Sequence, residues 1–115
     1  MLKTIPELLT EAAADLRCIY AQIAIVEIKE KNGLLIDVRE PAEHIARPVV
    51  GAINIPRGLL EMKLLELEKD SKRAIYIHCA SSARAILAAE QLARIGYSNV
   101  SVITCNMDEI QKTFS

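Results

Sequence analysis

Residues 74–77, Ala-Ile-Tyr-Ile, are apolar on both faces that a strand would present. Such a run fits a strand covered on both sides, as in the middle of a parallel sheet. Directly after it come His78-Cys79-Ala80-Ser81-Ser82 and then Ala83 to Ile95, which reads as a helix. Ile86, Ala89, Leu92 and Ala93 form its apolar stripe, and Gly96 is placed to stop it. This buried strand, short loop and helix restrict the chain to folds that stack helices on a parallel sheet. They also set Cys79 at the carboxyl end of a strand, facing a helix N-terminus. There, unpaired backbone N–H groups and the positive end of the helix dipole favour a thiolate, so Cys79 is the candidate nucleophile.

With 115 residues, 51% of them hydrophobic, the chain suits one packed domain. It has no Trp, one Phe and three Tyr, so the core must rest on Leu, Ile, Val and Ala. A formal net charge of −1 provides no basic field for nucleic acid. No apolar stretch approaches the ~20 residues that span a bilayer, and Glu7, Glu11 and Asp15 stand where a leader would be apolar. The expectation is a cytoplasmic protein with neither nucleic-acid nor membrane partners. Cys18, Cys79 and Cys105 fit no zinc spacing or disulfide framework and read as free thiols, with no metal or cofactor expected.

Helices and strands alternate along the chain, an α/β pattern. Thr4 and Glu7 have capping-box spacing ahead of Leu8, Leu9, Ala12, Ala13 and Leu16, predicting a helix to about Arg17, with Cys18 at its end. Ile19 to Lys29 is apolar enough to be buried as either helix or strand. Asn32-Gly33 turns the chain into a strand at 34–38, and a third strand is expected at 52–55. Leu59 to Leu67 reads as a helix burying Leu60, Leu64 and Leu67. Val100 to Ile103 reads as the last strand, and Asn106 and Glu109 cap a closing helix.

Three segments together carry a family resemblance. Asp37-Val38-Arg39-Glu40-Pro41, then Gly51-Ala52-Ile53-Asn54-Ile55-Pro56-Arg57-Gly58, then Cys79 separated from Arg84 by four residues, resemble the single-domain rhodaneses, a sulfurtransferase family. The resemblance runs from about Leu34 to Ile103. It implies a rhodanese-like domain over 18–115, with a central, mostly parallel sheet flanked by helices on both faces, behind an N-terminal helical extension over 1–17. It also implies that Cys79 carries sulfur as a persulfide, taken from thiosulfate, another small anionic donor or a protein persulfide, and given to a thiol or to cyanide.

The loop Ala80, Ser81, Ser82, Ala83 and Arg84 is the expected anion- and substrate-binding element, its backbone N–H groups aimed at the developing negative charge on sulfur. Arg84 is expected to pair with an anionic donor or to brace the loop, and Arg57 to sit on the pocket rim. Asp37 and Arg39 read as structural. Cys105, on the strand expected beside that of Cys79, is a candidate resolving thiol. His78 should point away from Cys79 by strand alternation and serve the core. His44 falls where the family often has an aromatic residue, and no role is assigned to it. Ser82 stands where the family usually has glycine.

Two rival readings stay open. One is a non-enzymatic binding or redox-sensing module of the same fold. The other is a cysteine-dependent phosphatase or arsenate reductase, disfavoured because four residues between cysteine and arginine make a loop suited to one sulfur atom rather than a phosphate.

Overall fold

The computed structural model describes residues 1–115. In chain order the elements are α1 (Ile5–Ala13), β1 (Arg17–Ile19), α2 (Ala21–Lys31), β2 (Leu34–Asp37), α3 (Pro41–Ala46) and β3 (Ile53–Asn54). After a single 3-10 turn, Arg57–Leu59, come α4 (Leu60–Leu67), β4 (Ile75–His78), α5 (Ala83–Ile95), β5 (Val100–Ile103) and α6 (Met107–Thr113). The strands form one sheet in the order β1-β5-β4-β2-β3 with every pairing parallel. This is the expected α/β architecture, and β4, whose four residues are all buried, runs through its centre.

Alternation along β4 divides the core. Ile75, Ile77 and Cys79 join the apolar layer beneath α4 and α5, with Leu60, Leu64, Ala85, Ala88, Ala89 and Leu92. Tyr76 faces the other layer, built on α2 and α6 with Ala21, Ala24, Met107 and Ile110. The buried stripe of α5 is therefore made mostly of alanines, which let the helix lie close to the sheet. Ala93, expected in that stripe, is exposed. Leu67, expected inside α4, is 62% exposed because the helix ends there.

The helix stops and starts follow their local chemistry. Thr4 and Glu7 form the expected reciprocal capping box, and Asn106 accepts from the Glu109 N–H at 3.0 Å. Gly96 closes α5 with φ +125°. At the Asn32-Gly33 turn the left-handed residue is Asn32, φ 51°. Gly33 is needed for a different reason: a Cβ there would stand 2.7 Å from the Tyr76 ring.

The N-terminal part departs from expectation. The first helix ends at Ala13, and Arg17, Cys18 and Ile19 pair with Ser101, Val102 and Ile103 as an edge strand. Cys18 thus lies on β1 rather than at a helix end. Non-local pairing wins here over local helical pattern, reinforced by Arg17, whose guanidinium reaches Glu27 on α2 and the Ser101 hydroxyl. The ambiguous stretch resolves into the end of β1 and α2. Helix α1 lies against α5 of its own domain. No helix is long and apolar enough to cross a membrane.

Candidate active site

Parallel pairing places the carboxyl ends of β2, β3 and β4 side by side, the edge at which α/β sheets bind ligands. Register sets Asp37 opposite both His78 and Asn54, and the chain leaving His78 delivers Cys79 to this edge.

Cys79 is 1% exposed, beneath the loop 80–84. The Ala85 N–H donates to its Sγ at 3.3 Å. Helix α5 has no side-chain cap from Ser82, so the cysteine sulfur takes the capping place at its head. An N–H aimed at sulfur and the open end of a helix of 13 residues provide the charge complement a sulfur anion needs. Ser82 itself adopts the left-handed conformation, φ 72°, ψ −23°. A serine thus accepts the backbone geometry for which glycine is suited, at a conformational cost of about 1–2 kcal/mol.

Arg84 leaves the loop for α3. Its Nη1 and Nη2 donate to Glu43 Oε1 at 2.6 Å and Oε2 at 3.0 Å, a two-pronged pair. The Arg84 hydrogen bond, with the Glu40 N–H that also reaches this carboxylate, pulls Glu43 down to about 2. Glu43 also raises Arg84. Arg84 thus ties the head of α5 to α3 through a carboxylate rather than through carbonyls of the loop. Arg57, on the 3-10 turn, is likewise engaged: its Nη1 donates to Glu61 at 2.9 Å.

Asp37 and Arg39 form a buried ion pair, Nη2 to Oδ2 at 2.8 Å and Nε to Oδ1 at 3.0 Å. Arg39 extends to the carbonyls of Glu43 and Arg47, tying the middle and the C-terminal end of α3 to β2. His44 joins them, its Nδ1 2.9 Å from Asp37 Oδ2. Burial works to raise Asp37, but the Arg39 and His44 hydrogen bonds outweigh it and the carboxyl ends below its ordinary value. His78 is fully buried, neither ring nitrogen has a hydrogen-bond partner, and Nε2 is 4.0 Å from Asp37 Oδ1. Burial lowers it to about 4, against the pull of Asp37. It is therefore a neutral residue near physiological pH.

Cys105 lies on the opposite side of the sheet from Cys79. Its Sγ accepts from the Ala21 N–H at 3.1 Å, and it packs with the α2 and α6 layer whereas Cys79 belongs to the other. Two residues that matter here had escaped the sequence reading. Glu43 and α3 were signalled by Pro41 with the Glu40 and Glu43 capping spacing, whereas His44 bore no local sign of its bond to Asp37. No group of three His, Cys, Asp or Glu side chains is placed to hold a metal ion.

Comparison with known proteins bears on the fold and the family. A family model described as rhodanese-like domain matches residues 21–113. A sulfurtransferase of Allochromatium vinosum is 36% identical over 67 residues, 58% of this chain and 61% of that protein, so the match spans about three fifths of the relative's length. The thiosulfate:glutathione sulfurtransferase of Saccharomyces cerevisiae is 31% identical over 96 residues, 74% of this chain and 69% of its own. Among solved structures, the polysulfide-sulfur transferase homodimer of Wolinella succinogenes superposes with a TM-score of 0.75 at 28% identity, covering 90% of this chain and 78% of that one. With its parallel sheet, its cysteine at the head of α5 and a family match over most of its length, this chain belongs to the rhodanese-like domain family.

Proposed function

We infer that the chain is a sulfurtransferase that carries sulfane sulfur on Cys79 as a persulfide and hands it to a thiol. The observation that carries this reading is the Cys79 sulfur at the head of α5, receiving the Ala85 N–H at the carboxyl edge of the sheet. In the first half-reaction the Cys79 thiolate attacks the outer sulfur of a donor. A new S–S bond forms, the donor's own S–S bond breaks, and its electron pair leaves on sulfite or a thiolate. In the second, an acceptor thiolate attacks the outer sulfur of the Cys79 persulfide and the cysteine departs as thiolate. Negative charge develops on the Cys79 sulfur at the start of the first step and again at the end of the second, so the Ala85 N–H serves both. The name of the yeast relative, which pairs thiosulfate with glutathione, supports a thiol acceptor.

Phosphoryl transfer has less support. A dianionic phosphate needs a free guanidinium on the loop, and Arg84 is committed to Glu43. The test is steady-state sulfur transfer from thiosulfate and from an alkyl persulfide to glutathione and to cyanide. Transfer that disappears in Cys79→Ser is expected. A folded wild type inactive with both donors, or activity retained in Cys79→Ser, overturns the reading and leaves the non-enzymatic module.

A further inference from the structure

The charge around Cys79 selects among sulfur donors. Residues 80–83, Ala-Ser-Ser-Ala, bear no charge. Arg84 is held fork-to-fork by Glu43, and Arg57 is held by Glu61. Arg39, the remaining arginine at this edge, is buried on Asp37. Glu40, at the start of α3, has no cation within 4 Å and acts on Arg84 as well. Every guanidinium near the loop thus has its own carboxylate, and Glu40 adds a further one at the head of α3. The thiolate that attacks adds another negative charge. Helix α5 offers a partial positive charge, which the thiolate already occupies.

We propose, on the sulfurtransferase reading above, that the natural donor is a hydropersulfide, R–S–SH, and that dianionic thiosulfate is a poor one. Its approach brings two negative charges toward a thiolate with no free cation at hand, in surroundings that screen charge less than bulk water. A hydropersulfide carries at most one negative charge, and its protonated form R–S–SH, the one that reacts, is neutral at the outer sulfur. The Cys79 thiolate bonds to the outer sulfur, the R–S–SH sulfur–sulfur bond breaks, and R–S⁻ leaves with the electron pair, later taking a proton from water. The proton on the outer sulfur stays with Cys79–S–SH. No outside oxidant or reductant is required, because the sulfane sulfur only changes partner.

The test measures Cys79 loading by intact-protein mass spectrometry with two donors, thiosulfate and the hydropersulfide of N-acetylcysteamine, which has no charged group besides its S–SH. Each rate is divided by that of the same donor with free 2-mercaptoethanol, an uncharged thiol different from the donor's own, which removes the donor's intrinsic reactivity. Ser81 is exposed on the loop, so Ser81→Lys supplies a free cation without touching the Arg84–Glu43 pair. The expected results are a wild-type preference for the hydropersulfide and a rise of about tenfold in the thiosulfate-to-hydropersulfide ratio in Ser81→Lys. Glu43→Gln, which uncovers the Arg84 charge, should raise the ratio in the same direction. A purely structural defect would lower both rates together and leave the ratio alone. A wild type that prefers thiosulfate, or ratios unmoved in both folded variants, overturns the donor assignment while leaving the persulfide chemistry standing. Failure of both donors to load Cys79 overturns the assignment together with the reading on which it rests.

Discussion

The Arg84 guanidinium on α5 lies two-pronged on the Glu43 carboxylate of α3, at 2.6 and 3.0 Å, fastening the loop around Cys79 to an element 41 residues earlier in the chain. Both side chains are more than a third exposed, 35% and 39%, so the pair itself is worth under about 1 kcal/mol. Glu43 also caps α3, its carboxylate accepting from the Glu40 N–H at 3.0 Å. Glu43→Ala loses both and should lower unfolding stability in urea by about 1–2 kcal/mol. Glu43→Gln, which can still accept at the cap, should recover a large part of this. Equal losses in the two variants would contradict the capping role.

Ser82 is the strained residue of the loop, with φ 72°. Replacing it by glycine removes a conformational cost of about 1–2 kcal/mol and adds chain entropy to the unfolded state worth roughly half as much. Ser82→Gly should therefore raise stability by about 0.5–1 kcal/mol, read from urea midpoints at constant slope. A drop in stability would mean that the serine side chain holds the loop by contacts outweighing its strain.

His78 predicts an acid-sensitive fold. Its folded value of about 4 lies below the ordinary 6.5, so between these pH values the unfolded chain binds a proton that the folded one refuses. Stability then falls as pH drops through that window, by on the order of 2–3 kcal/mol between pH 7 and 4.5. Asp37, Arg39 and His44 are the groups whose charges act on the ring, and only Asp37 favours its protonation. In His78→Leu an apolar group fills a site with no hydrogen-bond partner, so the loss across this window should shrink by at least half. Parallel profiles for the two proteins would remove His78 as the cause.

Gly33 is fixed by a ring that cannot retreat. The Tyr76 hydroxyl donates to Glu27 Oε1 at 2.8 Å, and the same oxygen accepts from Arg17 Nη1 at 2.7 Å. These bonds anchor the ring against which a Cβ at residue 33 would stand at 2.7 Å. Gly33→Ala should cost about 1–3 kcal/mol by overpacking. Gly33→Ala combined with Tyr76→Leu should show much less than the sum of the two single losses; additive losses would contradict the clash.

The central strands were legible because they are buried on both faces, and the helix ends because Thr4, Gly96 and Asn106 act within a few residues of where they stand. Cys79 was legible for the same reason: strand, loop and helix adjoin in sequence. Edge strand β1 was not, since its three residues are strands only by pairing with β5 more than 80 residues later. The division of the two thiols between opposite core layers was hidden likewise. Cys105 follows a strand adjacent to β4, but its sulfur turns to the Ala21 N–H, a contact that spacing cannot reveal. The neutralisation of Arg84 and Arg57 differs between the two. Arg57 and Glu61 are four apart on neighbouring turns and readable as a pair, whereas Glu43 meets Arg84 only once α3 has been placed against the loop.

The most direct measurement is mass spectrometry of the intact protein and its peptides after treatment with the hydropersulfide of N-acetylcysteamine, before and after cyanide. One added sulfur on the peptide containing Cys79, removed by cyanide and absent in Cys79→Ser, is expected of a persulfide carried on this cysteine. Sulfur that appears only on Cys18 or Cys105, or persists unchanged in Cys79→Ser, would contradict it.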